Sequence, residues 1–352
     1  MNSYIDFLGN YFENTMKSYA LFDESFNLIK TNTTLFNDKI TPENICVYDN
    51  NGRETDISLE GEKFGIIREE KKLTAVLVKP LYYNSLLEGY SVVLLKPYEL
   101  FSGELISRKT SGDIRQHVSA IVANNTVIKT TLETVELYDE CVYVDEAVDN
   151  SMKLLSAITN SEMIISMFEE RDKREICDVS GIMNELLQVL KFSFGKNMTF
   201  KDEIQPNLYA DIDKEQFVSS VMNLIVNSYL YNLSEEKEVC ISLKSKDNDI
   251  VVTVDDNGNG IDESYSSRFI TAPKPTLTGR EGLGITVAKL FAKLHGGEMN
   301  IISKGEGVGT TARITIPVCN SKEAVTMSSV KNYIKNRFST LYLVLTKAGL
   351  KG

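Results

Sequence analysis

Three groups of residues have the types and spacing to bind a nucleotide. The β-branched run 251–254 ends in Asp255-Asp256-Asn257-Gly258-Asn259-Gly260-Ile261, which presents a carboxylate where a strand breaks into a glycine turn. A carboxylate in that place accepts a hydrogen bond from an exocyclic amine. Downstream, Gly279-Arg280-Glu281-Gly282-Leu283-Gly284 runs straight into a helical pattern over residues 285–294. Glycines there let backbone N–H groups approach a phosphate, and the helix N-terminus adds a partial positive charge. Upstream, residues 217–231 read FVSSVMNLIVNSYLY and place Asn223 and Asn227 at i and i+4. Two amides on one helical face suit a hydrated Mg²⁺ and the phosphates it bridges. Taken singly, each group has a plainer reading as a turn or a polar helix face. Their order within one stretch is what points to a nucleotide.

The elements that must position these groups alternate in type. Residues 179–192 form a helical pattern with Ile182, Leu186, Leu187 and Leu190, and strand, helix and strand follow as far as Thr311-Ala312-Arg313-Ile314-Thr315-Ile316-Pro317. Mixed elements in this order predict an α/β sandwich. Ahead of it, residues 101–172 contain no proline, and their two glycines, Gly103 and Gly112, come early. Ile114, Val118, Ile121, Ile128, Leu132 and Val135 make a heptad seam with Asn125 at a polar position. A second helical run carries Val148, Met152, Leu155, Ile158, Met163 and Ile165. Two such helices predict a hairpin that dimerises into a four-helix bundle.

Residues 1–17 read as an amphipathic helix, and short strands follow, among them LTAVLVKPLYYN and SVVLLKPYEL around a turn at residues 87–90. Residues 320–352 combine a helical pattern (Val330, Tyr333, Ile334) with a strand-like run, 341–345.

Over residues 179–318, with Leu294-His295-Gly296-Gly297 and Gly305-Glu306-Gly307-Val308-Gly309-Thr310 following the three groups, the chain resembles the ATP-binding domain of histidine kinases, of the superfamily shared with gyrase and the mismatch-repair ATPases. The resemblance implies ATP and Mg²⁺. Asp256 would accept the adenine amine, while Gly258, Gly260 and Ile261 shape the adenine wall. Asn227 would ligate Mg²⁺, and Asn223 would lie beside the phosphates, where gyrase-type relatives carry a catalytic glutamate. Gly282, Leu283 and Gly284 would cradle the phosphates, Thr310 would sit near the adenine, and Tyr231 would pack beside the nucleotide. His295 matches a structural helix-end position. An amide is no base, so Asn223 fits phosphoryl transfer better than hydrolysis.

The chain departs from the family in two places. Three residues after Asn227 the family usually has a lysine, and here stands Leu230; Arg280 or Lys274, in a lid spanning 262–281, would have to compensate. The family's acceptor motif, Ser-His-Glu/Asp-Leu/Ile-Arg, meets Ser111-Gly112-Asp113-Ile114-Arg115-Gln116-His117. In one register Gly112 takes the acceptor position and the apolar seam is kept. In the other, His117 is the acceptor, and Ser119, Ala123 and Thr126 turn into the seam. Seam burial favours the first. Five helical residues amount to about 140° of rotation and about 7.5 Å of rise, so His117 cannot stand in for position 112 by proximity.

The whole chain of 352 residues carries a net charge of −11, which argues against a nucleic-acid partner. Five cysteines, Cys46, Cys141, Cys177, Cys240 and Cys319, form no CxxC pair and read as reduced thiols of a cytoplasmic protein. No apolar run reaches the roughly 18 residues of a membrane span, and the N-terminus lacks signal-peptide features.

The expected organisation is α+β and multidomain: a PAS-like sensor domain of α/β type (1–100), a dimerisation and phosphotransfer-like helical hairpin (101–175), a histidine kinase-type α/β-sandwich ATP-binding domain (176–318) and a tail (319–352). The expected function is a cytoplasmic, dimeric sensor histidine kinase that passes the ATP γ-phosphate to a response regulator. The rival is a degenerate kinase in which ATP binding regulates protein contacts. An anti-sigma-type serine kinase is disfavoured by the long heptad bundle.

Overall fold

The computed structural model describes residues 17–33, 40–41, 44–49, 54–69, 72–83, 85–96, 108–169, 173–260, 283–303, 308–319, 342 and 345. They fall into two compact units, the first made mainly of residues 1–105 and the second of most of the remainder. The expected helix at residues 1–17 and the lid at 262–281 lie outside the described residues, apart from Lys17.

The described elements of the first unit are strands. β1 (Tyr19–Asp23), β2 (Leu28–Thr31), β3 (Ile45–Tyr48), β4 (Glu54–Thr55), β5 (Lys63–Arg68), β6 (Leu73–Tyr83) and β7 (Leu86–Leu94) form one sheet in the order β2-β1-β7-β6-β5-β3-β4. Ala20, Phe22, Val76, Val78, Tyr90 and Val92 belong to one apolar cluster, and Tyr19, Leu21, Leu81 and Val93 to another. The two sets alternate along β1, as a period of two requires. The β6–β7 hairpin turns between Tyr83 and Leu86, ahead of the expected turn at 87–90. Gly89 serves a different purpose: a Cβ there would lie 2.1 Å from the Phe22 carbonyl oxygen, so the glycine admits β1 beside β7.

The second unit begins with α1 (Arg108–Thr134) and α2 (Cys141–Met167). Lys129 bonds Asp145 at 2.7 Å near the connecting turn and Arg115 bonds Glu162 at 2.5 Å near the far end, so the helices run antiparallel. Val118, Val122, Met152 and Leu155 form their shared core, with Ile114 packed against it. The apolar stripe of α1 therefore divides. Ile114 and Val118 face α2, whereas Ile121, Ile128 and Val135, each seven residues from the next, are exposed by 49%, 47% and 58%. Tyr342 packs on the same core, and both described residues of the expected strand-like run, Tyr342 and Leu345, are helical.

A mixed sheet follows, in the order β13-β14-β12-β11-β9, built from β9 (Thr199–Ile204), β11 (Glu238–Lys246), β12 (Asp249–Asp256), β13 (Glu298–Ser303) and β14 (Thr310–Pro317). β9 runs parallel to β11, and the other pairs are antiparallel. Val239, Ile241, Leu243, Ile250, Val252, Val254, Ile314 and Ile316 are all buried, so alternate residues line one face. Helices α3 (Val179–Phe194), α4 (Lys214–Leu230) and α5 (Leu283–Leu294) supply the second layer, which makes the part an α/β sandwich. A small antiparallel pair, β8 (Glu175–Asp178) with β10 (Tyr209–Ile212), lies beside it in sequence.

Asp178 and Asp213 cap α3 and α4, accepting from Gly181 N at 2.9 Å and Gln216 N at 3.0 Å. His295 ties α5 to α4: its Nδ1 lies 2.8 Å from Phe291 O, and its Nε2 accepts from Asp213 N at 3.2 Å. That pair of bonds fixes the neutral tautomer with the proton on Nδ1.

Candidate nucleotide site

β12 delivers Asp256 to the sheet edge, and three donors hold its carboxylate. Gly258 N and Thr310 N donate to Oδ1 at 3.0 and 3.1 Å, and Ser228 Oγ donates to Oδ2 at 2.9 Å. The donors come from the turn after β12, from the first residue of β14 and from the last turn of α4, so three elements converge on one side chain. Such bonding fixes the direction of the carboxylate.

The turn after Asp256 leaves no room for side chains. A Cβ at Gly258 would stand 3.0 Å from Asp256 Oδ1 and 3.2 Å from Asn232 Cα. Gly260 has a φ of 76°, in the left-handed region that suits glycine. Asn257 clamps the turn to the segment leaving α4: its Oδ1 accepts from Asn232 Nδ2 at 2.7 Å and Glu238 N at 2.8 Å, and its Nδ2 donates to Glu236 O at 2.9 Å. Leu233 N donates to Asn259 Oδ1 at 3.0 Å. Gly309 lets β14 approach, since a Cβ there would fall 1.9 Å from the Asp256 carbonyl oxygen.

On α4, Asn227 is half-buried, and its amide makes no hydrogen bond among the described residues. It is thus available as an oxygen ligand for a hard cation carrying phosphates. Among the described residues no cluster of three or more His, Cys, Asp or Glu side chains offers a metal site. Tyr231 terminates α4, its N–H donating to Asn227 O at 3.0 Å, and its side chain is 40% exposed.

Asn223 is placed differently. It is 2% exposed, and its Nδ2 donates to Oδ1 of Asn160 on α2 at 3.2 Å, while Asn160 Nδ2 lies 3.5 Å from Asn223 Oδ1. Gly284 adjoins it, a Cβ there falling 2.6 Å from Asn223 Oδ1. Leu283, at the start of α5, is buried at 5% exposure. Ile261, Lys274, Arg280 and Gly282 lie outside the described residues.

On α5, burial pulls the ammonium of Lys289 down to about 8.

His117 stands apart from these residues, exposed on α1 and without a hydrogen bond among the described residues. Earlier on the same helix, Ser111 Oγ donates to Glu162, and Arg115 spans Glu162 and Thr159, at 3.0 Å from the latter. Gly112 is exposed, with open space where a Cβ would stand.

The structure thus brings together Asp256, Gly258 and Thr310, and separately Asn223 with Gly284. Ser228 and Asn160 were not singled out by sequence, and Asn257 and Gly309 stood within the glycine-rich stretches without a role of their own. Ser228 carried one signal, a small hydroxyl directly after Asn227 in an apolar helix.

The class follows from this arrangement and from a family match. Residues 212–320 match the family described as histidine kinase-, DNA gyrase B- and HSP90-like ATPase, and the match supports a fold of that type for this part of the chain. The match supports ATP as the nucleotide.

Among individual proteins, the chain is similar to sporulation kinase B of Bacillus subtilis, with 24% identity over 216 residues covering 58% of this chain and 50% of that protein. It is 23% identical over 169 residues to the sensor histidine kinase CssS of the same species, covering 48% of this chain and 36% of CssS. The catalytic domain of histidine kinase ThkA matches at 18% identity over 42% of this chain and 96% of that one, with a TM-score of 0.36. The chain spans half or less of the length of these two curated relatives. No helix among the described residues is long and apolar enough to cross a membrane.

Proposed function

We propose that the protein is an ATP-binding sensor histidine kinase-like component of a two-component system, acting as a cytoplasmic homodimer that passes the ATP γ-phosphate to a response regulator. The observation that carries this reading is the carboxylate of Asp256, held by Gly258 N, Thr310 N and Ser228 Oγ inside the segment matched by the ATPase family.

In this reading Asp256 accepts the adenine amine, Gly258, Gly260 and Ile261 shape the wall beside it, and Thr310 borders the base. Asn227 ligates Mg²⁺. Gly282, Leu283 and Gly284 offer backbone N–H groups to the phosphates, Asn223 lies beside them, and Tyr231 flanks the nucleotide. Bound Mg²⁺·ATP supplies the γ-phosphoryl group, and the chain contributes orientation and charge stabilisation.

The domain division is part of the same proposal: a PAS-like sensor at 1–100, the helical hairpin at 101–175, the ATP-binding domain at 176–318 and the tail beyond. The antiparallel sheet of β1 to β7 supports the first assignment. The heptad-spaced, exposed Ile121, Ile128 and Val135 support a second copy against α1. The five cysteines, all free, favour a reducing compartment.

A second reading is favoured by Gly112 in the family's acceptor register, with His117 bonded to nothing described. Here ATP binding shifts protein contacts and no phosphohistidine forms.

Incubation with γ-labelled ATP and Mg²⁺ separates the two. Acid-labile label on the wild type that disappears in His117→Gln supports the kinase. Label confined to Gly112→His supports the degenerate form. Absence of nucleotide binding by the wild type refutes both.

A further inference from the structure

We propose that Asn160 of α2 is a latch on the nucleotide site: paired with Asn223, it holds the site in a low-affinity state that nucleotide binding must release. The inference rests on the nucleotide reading given above and adds its regulation.

The pair is a reciprocal amide dimer, with Asn223 Nδ2 to Asn160 Oδ1 at 3.2 Å and Asn160 Nδ2 to Asn223 Oδ1 at 3.5 Å. Both residues are 2% exposed, so little water competes for either amide. Asn223 lies one helical turn before Asn227 and against Gly284, between the two elements proposed to hold the phosphates. An amide committed to α2 cannot turn to those phosphates without leaving Asn160.

Ser156 lies one turn before Asn160 on the same face of α2, and Ser219 and Gln216 lie one and two turns before Asn223 on the same face of α4. Ser156 Oγ, Ser219 Oγ and Gln216 Oε1 are buried without a hydrogen-bond partner. Buried polar atoms left unpaired make both helices costly to bury beside the pair, which offsets part of what the two bonds contribute. A modest competing interaction at Asn223 is then enough to free Asn160. Coupling of this kind is reciprocal, so movement of α2 by any other cause raises nucleotide affinity by the same factor.

The test titrates a fluorescent, non-hydrolysable ATP analogue with Mg²⁺ into the full chain, as wild type, Asn160→Ala and Asn160→Leu. Amide hydrogen exchange over residues 152–164 of the wild type is measured with and without the analogue. The latch predicts about tenfold tighter binding in both variants, the scale set by two lost hydrogen bonds. It also predicts faster exchange in α2 when nucleotide binds. A merely structural role for Asn160 would weaken binding instead. Unchanged or weaker affinity in the variants, with wild-type binding intact, overturns the latch and leaves the nucleotide reading standing. Should a variant fail to fold, exchange in the wild type decides alone, and no change in α2 overturns the latch. If wild type and variants alike bind no nucleotide, the nucleotide reading falls and the latch with it.

Discussion

Ser228 Oγ donates to Asp256 Oδ2 at 2.9 Å, so the last turn of α4 reaches across to the end of β12. The helix that carries Asn223 and Asn227 and the strand that carries the carboxylate are thereby fixed to each other by a side chain as well as by packing. Ser228→Ala leaves Asp256 with its two backbone donors. It is expected to weaken nucleotide binding about fivefold, the worth of one hydrogen bond, in a fluorescence titration. Asp256→Asn removes the charge itself and is expected to cost far more.

Gly309 has a φ of 97°, and its missing Cβ would collide with the Asp256 carbonyl oxygen. Gly309→Ala therefore strains the backbone and pushes β14 from β12. A loss of about 2–4 kcal/mol in chemical denaturation is expected, with nucleotide binding weakened in the protein that remains folded.

Burial lowers the Lys289 ammonium from 10.5 to about 8. Below pH 8 the folded and unfolded chains both carry the charge, and the folded one bears its desolvation. Between 8 and 10.5 the unfolded chain binds the extra proton, so this group makes stability rise with pH; above 10.5 both states are neutral and the penalty is gone. Lys289→Met should stabilise the protein near neutrality by on the order of 2 kcal/mol, a gain that fades across that window in denaturation curves.

Arg115 and Glu162 join α1 to α2 at 2.5 Å, and Ser111 and Thr159 complete the cluster. The Arg115 and Glu162 side chains keep 26% and 33% of their exposure, so water screens the pair. A double-mutant cycle of Arg115→Ala with Glu162→Gln is expected to give a coupling of about 1 kcal/mol in thermal unfolding, smaller at high salt.

Ile121 and Ile128 are the exposed heptad positions in the middle of α1. Changing both to Glu should dissociate a dimer in light scattering without lowering the nucleotide affinity of the ATPase domain. An unchanged mass refutes α1 as the dimer surface.

The strands and helices around the site were legible because their signals are local. Val251 to Val254 are a β-branched run of the kind strands favour, and Asn223 and Asn227 share a helical face whatever surrounds it. Asp256 and Gly258 stood out because a carboxylate followed by glycines is uncommon inside a strand pattern. What escaped is the part decided by tertiary approach. Nothing local distinguishes Gly309 from an ordinary turn glycine until β14 is seen against Asp256, and Asn160 reads as one more polar residue until it meets Asn223. The seam of α1 was half legible. The heptad count found the apolar residues, but a stripe of period seven does not say which of its members face the partner helix in the same chain.

β14 lies between β12 and β13, though it is the last strand of its sheet to appear in the chain. A ribosome that has released everything up to residue 309 has produced every other strand, yet β13 then has no neighbour and β12 shows a bare edge. Thr310, the first residue of the missing strand, also supplies the backbone donor that completes the clasp on Asp256. The clasp on Asp256 is therefore completed late in synthesis, with the same few residues that close the sheet, and under the proposed function a polypeptide interrupted before them is both unfinished and silent toward nucleotide.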